Sequence, residues 1–83
     1  MTLFEFQLAS TPDKVSILYK QGVYIGKRKE GHLTILLYQV DSFYVEVIYR
    51  TYRRYIALIR CSESTALLDP YLGQINVEHL VGL

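Results

Sequence analysis

The chain predicts a single α+β domain over residues 1–83: a four-stranded antiparallel β-meander with an N-terminal helix and a short C-terminal helix packed on one face. Three observations carry this. The runs 32–40, 43–50 and 55–60 are dense in β-branched and aromatic residues and separated by turn-forming residues. Thr11-Pro12-Asp13 has the order of a helix start, a capping hydroxyl, a proline and then an acid in the first turn. Asp69-Pro70 repeats that signal near the other end.

Taken in order, Leu3 to Ala9 alternates, with Phe4, Phe6 and Leu8 against Glu5 and Gln7, which predicts a strand or extended arm; a short helical turn is the other solution. The helix opening at Thr11 runs to about Gln21 and stops at Gly22. Its Val15, Leu18 and Tyr19 share a stripe, predicting that this face packs inward. A two-residue turn at Glu30-Gly31 sets Ile25 opposite Leu36 and Val23 opposite Tyr38. A second turn at Asp41-Ser42 sets Val40 opposite Phe43, Tyr38 opposite Val45 and Leu36 opposite Val47. A third, at Tyr52-Arg53, sets Tyr49 opposite Ile56 and Val47 opposite Leu58, and it avoids placing Arg50 against Arg53. A short helix from Pro70 to about Ile75 follows, with Asn76 capping one last turn through Leu80.

These registers assign Val23, Ile25, Leu36, Tyr38, Val40, Phe43, Val45, Val47, Tyr49, Ile56 and Leu58 to the core face. Helices about 10–12 Å across cover one face of such a sheet and leave the other open. On the open face the reading places an interface of Tyr24, Leu33, Ile35, Leu37, Tyr44, Glu46, Ile48, Arg50, Tyr55 and Ile59, too apolar to stand in water alone. Its expected occupant is a second copy of the chain, because two-fold dimers are the commonest oligomers. An unidentified protein partner is the looser form of the same expectation.

A chain this short has a thin core, and its 51% hydrophobic content with eight tyrosines argues for folding. Net charge is +1, but all nine basic residues lie between Lys14 and Arg60, where only Glu30, Asp41 and Glu46 oppose them. The acidic flanks are expected to fold back over this basic middle. A lone Cys61 fits a reducing, cytoplasmic address. No apolar run reaches the ~20 residues of a membrane span, and Glu5 sits where a signal peptide would be basic, so neither insertion nor export is expected.

Tests for chemistry return no catalytic residue, metal ligand or cofactor site. Gly26-Lys27-Arg28-Lys29-Glu30-Gly31 has the glycine spacing of a phosphate loop but continues with His32-Leu33 in place of Lys and a hydroxyl residue, so it predicts a hairpin. His32 and His79 lack ligands at zinc spacing and Cys61 lacks a nearby histidine base. Glu46, the one acid in mid-sheet, is conceivable as a general base and better explained by ion pairs with Arg50 or Arg28. Two other functions stand behind self-association. Tyr24, Tyr44 and Tyr55 with Arg28 and Arg50 have the makings of a single-stranded nucleic-acid platform. The cluster from Tyr49 to Tyr55, with Arg50, Arg53 and Arg54, resembles small bacterial ribonuclease toxins in composition and size, and no residue role carries over from them.

At Leu37-Tyr38-Gln39-Val40-Asp41-Ser42-Phe43-Tyr44-Val45-Glu46-Val47, and at Leu68-Asp69-Pro70-Tyr71-Leu72 with Gln74-Ile75, the chain resembles short uncharacterised bacterial cytosolic proteins of unknown function. That resemblance implies a free-standing bacterial domain and no activity or cofactor.

Overall fold

The computed structural model describes residues 1–50 and 55–73. Two helices, α1 (Leu3–Leu8) and α2 (Thr11–Gln21), precede four strands, β1 (Val23–Glu30), β2 (Leu33–Val40), β3 (Phe43–Arg50) and β4 (Tyr55–Ser62), and a 3-10 helix closes at Thr65–Tyr71. The strands form one antiparallel sheet in the order β1-β2-β3-β4. The α+β meander expected of the sequence is the fold.

The amino-terminal arm is helical, not extended. Thr2 and Glu5 form a capping box: the Thr2 hydroxyl accepts from the Glu5 amide at 3.1 Å, and a Glu5 carboxylate oxygen accepts from the Thr2 amide at 2.9 Å. Those bonds hold the Glu5 carboxyl below its usual pKa. Phe6 turns inward and is buried, while Phe4 and Leu8 point to solvent. The start of α2 lies one residue earlier than the sequence suggests, because Ser10, not Thr11, accepts from the Asp13 amide at 3.2 Å. The inward stripe is also displaced. Leu18 is buried and Ile17 packs beside it, whereas Tyr19 is 92% exposed and Val15 is exposed too. Gly22 ends α2 in an extended conformation, φ −72°, so the left-handed cap is not used. Glycine is required there for another reason: a Cβ would lie 2.6 Å from the Leu18 carbonyl oxygen.

The central register agrees with the sequence reading throughout, with Val40 opposite Phe43, Tyr38 opposite Val45 and Leu36 opposite Val47. Of the outer strands β4 agrees in part and β1 does not: neither Ile25 opposite Leu36 nor Val23 opposite Tyr38 is present, because the first turn is shifted by one residue and each outer strand carries a bulge. In β1 the turn falls at Gly31-His32, with Gly31 at φ +60°, so Lys27 pairs with Leu36 and Arg28 with Ile35. A bulge at Ile25 then brings Tyr24, not Val23, opposite Tyr38. In β4 the expected pairing of Tyr49 with Ile56 is present, and a bulge at Ala57 then sets Ile59 opposite Val47, Leu58 opposite Ile48 and Arg60 opposite Glu46. Leu58 and Val23 are thereby turned away from the core and exposed. The proposed third turn, at Tyr52-Arg53, lies outside the described residues.

The core joins Phe6 and Leu18 of the helices to Val40, Phe43, Val45 and Val47, with Phe6 and Phe43 rings 5.5 Å apart. Ile56, Ile59 and Cys61 pack around it from β4. The carboxy-terminal helix is a 3-10 helix beginning after Ser64, whose hydroxyl accepts from the Ala66 amide at 3.1 Å, and Pro70 sits inside it rather than opening it. The stretch 74–83, with the last turn read there, lies outside the described residues. Tyr71 meets Glu46 and Arg28 on the side of the sheet away from Phe6 and Leu18. The two helical ends therefore lie on opposite faces, where the sequence reading had put both on one.

Candidate functional site

Glu46 sits at the centre of that second face and is 1% exposed. Its Oε2 accepts from the Tyr71 hydroxyl at 2.7 Å and from Arg28 Nη2 at 3.4 Å, and its Oε1 accepts from Arg60 Nη2 at 2.8 Å. β1, β3, β4 and the 3-10 helix each contribute one of these four side chains. The geometry follows from the registers: Arg60 is the direct cross-strand partner of Glu46 because of the Ala57 bulge, and Arg28 reaches it past β2 while also donating to Glu30 at 2.7 Å. The pairing with Arg28 is the one the sequence suggests; Arg60 takes the place offered to Arg50, which lies exposed opposite Tyr55. Burial, and then the bond to the Glu46 carboxylate, pushes the Tyr71 phenol up to about 12. The Glu46 carboxylate is 1% exposed and accepts from three side-chain donors, which offset the cost of burying its charge. Its chemistry is that of a clasp holding the 3-10 helix to the sheet.

This clasp changes the face expected to be open. Ile35, Leu37, Glu46 and Ile48 are buried within the single chain, so they form no exposed interface. Tyr24 and Ile59 are carried by the two bulges onto the helix-bearing face. Leu33 and Tyr44 are half-buried, while Arg50 and Tyr55 remain exposed. The nucleic-acid platform read from Tyr24, Tyr44 and Tyr55 does not assemble on one face, since Tyr24 lies on the other side of the sheet from Tyr44 and Tyr55.

Among the described residues, two exposed surfaces involve the sheet. The first is a groove of about 310 Å³ between α2 and the sheet, lined by Val15 and Tyr19 from the helix and by Tyr24, Tyr38, Val47 and Tyr49 from the strands. Tyr24 is 54% exposed and stands edge-on to Tyr38, ring centroids 5.7 Å apart at 68°. Alternation cannot reveal this groove, because Tyr24 reaches it through a bulge and Tyr19 reads as core. The second is the outer edge of β4. Tyr55 and Leu58 are 67% and 51% exposed there, and among the described residues no strand pairs with that edge.

Cys61 is half-buried against the core, and His32 is exposed in the first turn. Among the described residues no helix is long and apolar enough to cross a membrane. No protein-family model matches the chain, and neither a curated protein nor a solved structure resembling it was found.

Proposed function

We propose that this chain is a small, non-catalytic interaction module of the cytoplasm that forms a homodimer by pairing β4 with β4 of a second copy. The observation that carries the reading is the contrast between the two sheet edges. β1 displays Lys27, Arg28, Lys29 and Glu30, the charges that natural edges use to repel further strands. β4 reads Tyr55-Ile56-Ala57-Leu58-Ile59-Arg60-Cys61-Ser62, and its one charge is already drawn onto Glu46. An unpaired strand edge alternates donors and acceptors, so it is complementary to an antiparallel copy of itself about a two-fold axis. Pairing β4 with β1 would instead be head-to-tail and would propagate without closing. Two-fold pairing also brings the exposed Leu58 and Tyr55 of each copy to the seam, where they gain burial.

Light scattering on a size-exclusion column, across a dilution series, tests this with Leu58→Lys as the partner experiment. The wild type should run at twice the chain mass at high concentration, and Leu58→Lys at the chain mass with unchanged circular dichroism. A wild-type monomer at all concentrations refutes the proposal.

A further inference from the structure

Resting on the β4 pairing just proposed, we infer its register: the two-fold axis passes through Ile59, so that Ile59 faces Ile59 of the second copy and Leu58 faces its Arg60.

The backbone decides which residues can bond across the seam. Asp41-Ser42, with Asp41 at φ +49°, joins β2 and β3 as a two-residue hairpin, and the closing pair of such a hairpin, Val40 and Phe43, exchanges both of its hydrogen bonds. Bonded and non-bonded pairs alternate along an antiparallel ladder, so Phe43, Val45 and Val47 bond towards β2, while Tyr44, Glu46 and Ile48 bond towards β4. Their partners on β4 are Ser62, Arg60 and Leu58. Ile59 and Cys61, which alternate with these, therefore turn N–H and C=O outward to the free edge. The first hairpin gives the same phase: Glu30 and Leu33 close the Gly31-His32 turn as a bonded pair, so Leu33 and Ile35 bond towards β1 and leave Leu36, Tyr38 and Val40 to β3.

Side chains then decide where the axis falls. A two-fold axis normal to the sheet keeps opposed residues on one face, and because faces alternate it must pass through a single residue. An axis at Arg60 sets two arginines directly opposite in a non-bonded pair, with Cα atoms about 4.5 Å apart, a like-charge contact that sheets disfavour. An axis at Cys61 carries Leu58 beyond the end of the facing strand at Ser62 and leaves it in water. An axis at Leu58 throws every bonded pair onto the Ala57 bulge or past it, where the alternation slips. Only an axis at Ile59 keeps the central bonded pair within the regular stretch from Leu58 to Ser62. Leu58, 51% exposed, then lies against the aliphatic stem of the facing Arg60. Each Arg60 guanidinium stays on the Glu46 of its own chain at 2.8 Å, drawn towards β3 and away from the seam.

The test is oxidative cross-linking with copper–phenanthroline, read on non-reducing gels, with light scattering on the same samples. Ile59→Cys in a Cys61→Ala background places two thiols across a bonded pair with Cα atoms about 5.5 Å apart, within disulfide reach, and most of the chain should run as a covalent dimer. In the wild type the two Cys61 residues stand about 14 Å apart along the seam, too far for a disulfide, and the chain should run at its single mass. Ile59 packs against the core, so a second measurement uses the unaltered sequence. In a mixture of isotope-labelled and unlabelled chains, filtered NOE spectra should connect Leu58 methyls to Arg60 methylenes of the other copy. A dimer whose wild type cross-links through Cys61, whose folded Ile59→Cys variant resists cross-linking, or which lacks the Leu58-to-Arg60 contacts overturns the register and leaves β4 pairing standing. A monomer by light scattering overturns both.

Discussion

Removing one oxygen from Tyr71 isolates the clasp around Glu46. Tyr71→Phe keeps the ring, its burial and its position 5.9 Å from the Arg28 guanidinium, so no cavity opens and the cation–π contact remains. What is lost is a 2.7 Å hydrogen bond to an enclosed carboxylate. Bonds to charged groups contribute about 1.5–3 kcal/mol. Here the remaining donor to Oε2, Arg28, stands at 3.4 Å and compensates poorly, which places the cost near 2–3 kcal/mol. In a chain of this size that lowers Tm by roughly 10–20 °C. Arg60→Gln breaks a shorter bond than the Arg28 one, but its side chain is 49% exposed and water replaces much of the loss, so its cost stays near 1 kcal/mol or below. Urea unfolding followed by circular dichroism measures both, and a double-mutant cycle of Tyr71→Phe with Glu46→Gln isolates the pair. A cost below about 0.5 kcal/mol for Tyr71→Phe, or a larger cost for Arg60→Gln, would refute the reasoning that burial of the phenol makes its bond the dominant one.

Three further outcomes follow from the same structure. The Tyr71 phenol, raised from 10.0 to about 12, binds its proton more tightly folded than unfolded; its contribution to stability is therefore complete below pH 10 and is lost as pH climbs through about 12. Phenolate absorbance should show a step near that value in the wild type, and the step should vanish in Tyr71→Phe. Gly22→Ala should destabilise by about 1–3 kcal/mol in thermal unfolding, because the new methyl meets the Leu18 carbonyl at 2.6 Å; a neutral effect would mean that the α2–β1 junction relaxes freely. Phe6→Ala should cost about 3–5 kcal/mol, since the ring is 0% exposed against Phe43, and a loss under 1 kcal/mol would show that α1 is not part of the cooperative core.

How far the sequence could be read depends on where the sheet is regular. Asp41-Ser42 joins two strands without bulges, so alternation alone sets Val40 against Phe43 and Leu36 against Val47. The outer strands defeat the same logic. Tyr24-Ile25-Gly26 and Ala57-Leu58-Ile59 fit either phase, so one extra residue leaves no trace in the pattern while it moves Tyr24, Leu58, Ile59 and Arg60 to the opposite faces. Glu46 was recognisable as a cross-strand ion-pair centre, and Arg28 as one of its partners. Tyr71 was not, because nothing local to it signals a carboxylate 25 residues earlier in the chain. The Thr2-to-Glu5 spacing of α1, in contrast, is a capping box visible in the sequence, and its period-two competitor in Phe4, Phe6 and Leu8 hid it. The proposed dimer surface differs from the expected one for a related reason: the face read as open is closed at its centre by Tyr71 and Glu46, while Tyr55 and Leu58 on the β4 edge stay exposed.

Hydrogen–deuterium exchange measured at low and high protein concentration addresses that edge directly. Two-fold pairing of β4 predicts that amides between Ile56 and Ser62 become slower to exchange as concentration rises, while those between Tyr24 and Lys29 on the charged edge keep their rates. Concentration-independent exchange along β4, or protection that grows along β1 instead, would contradict it.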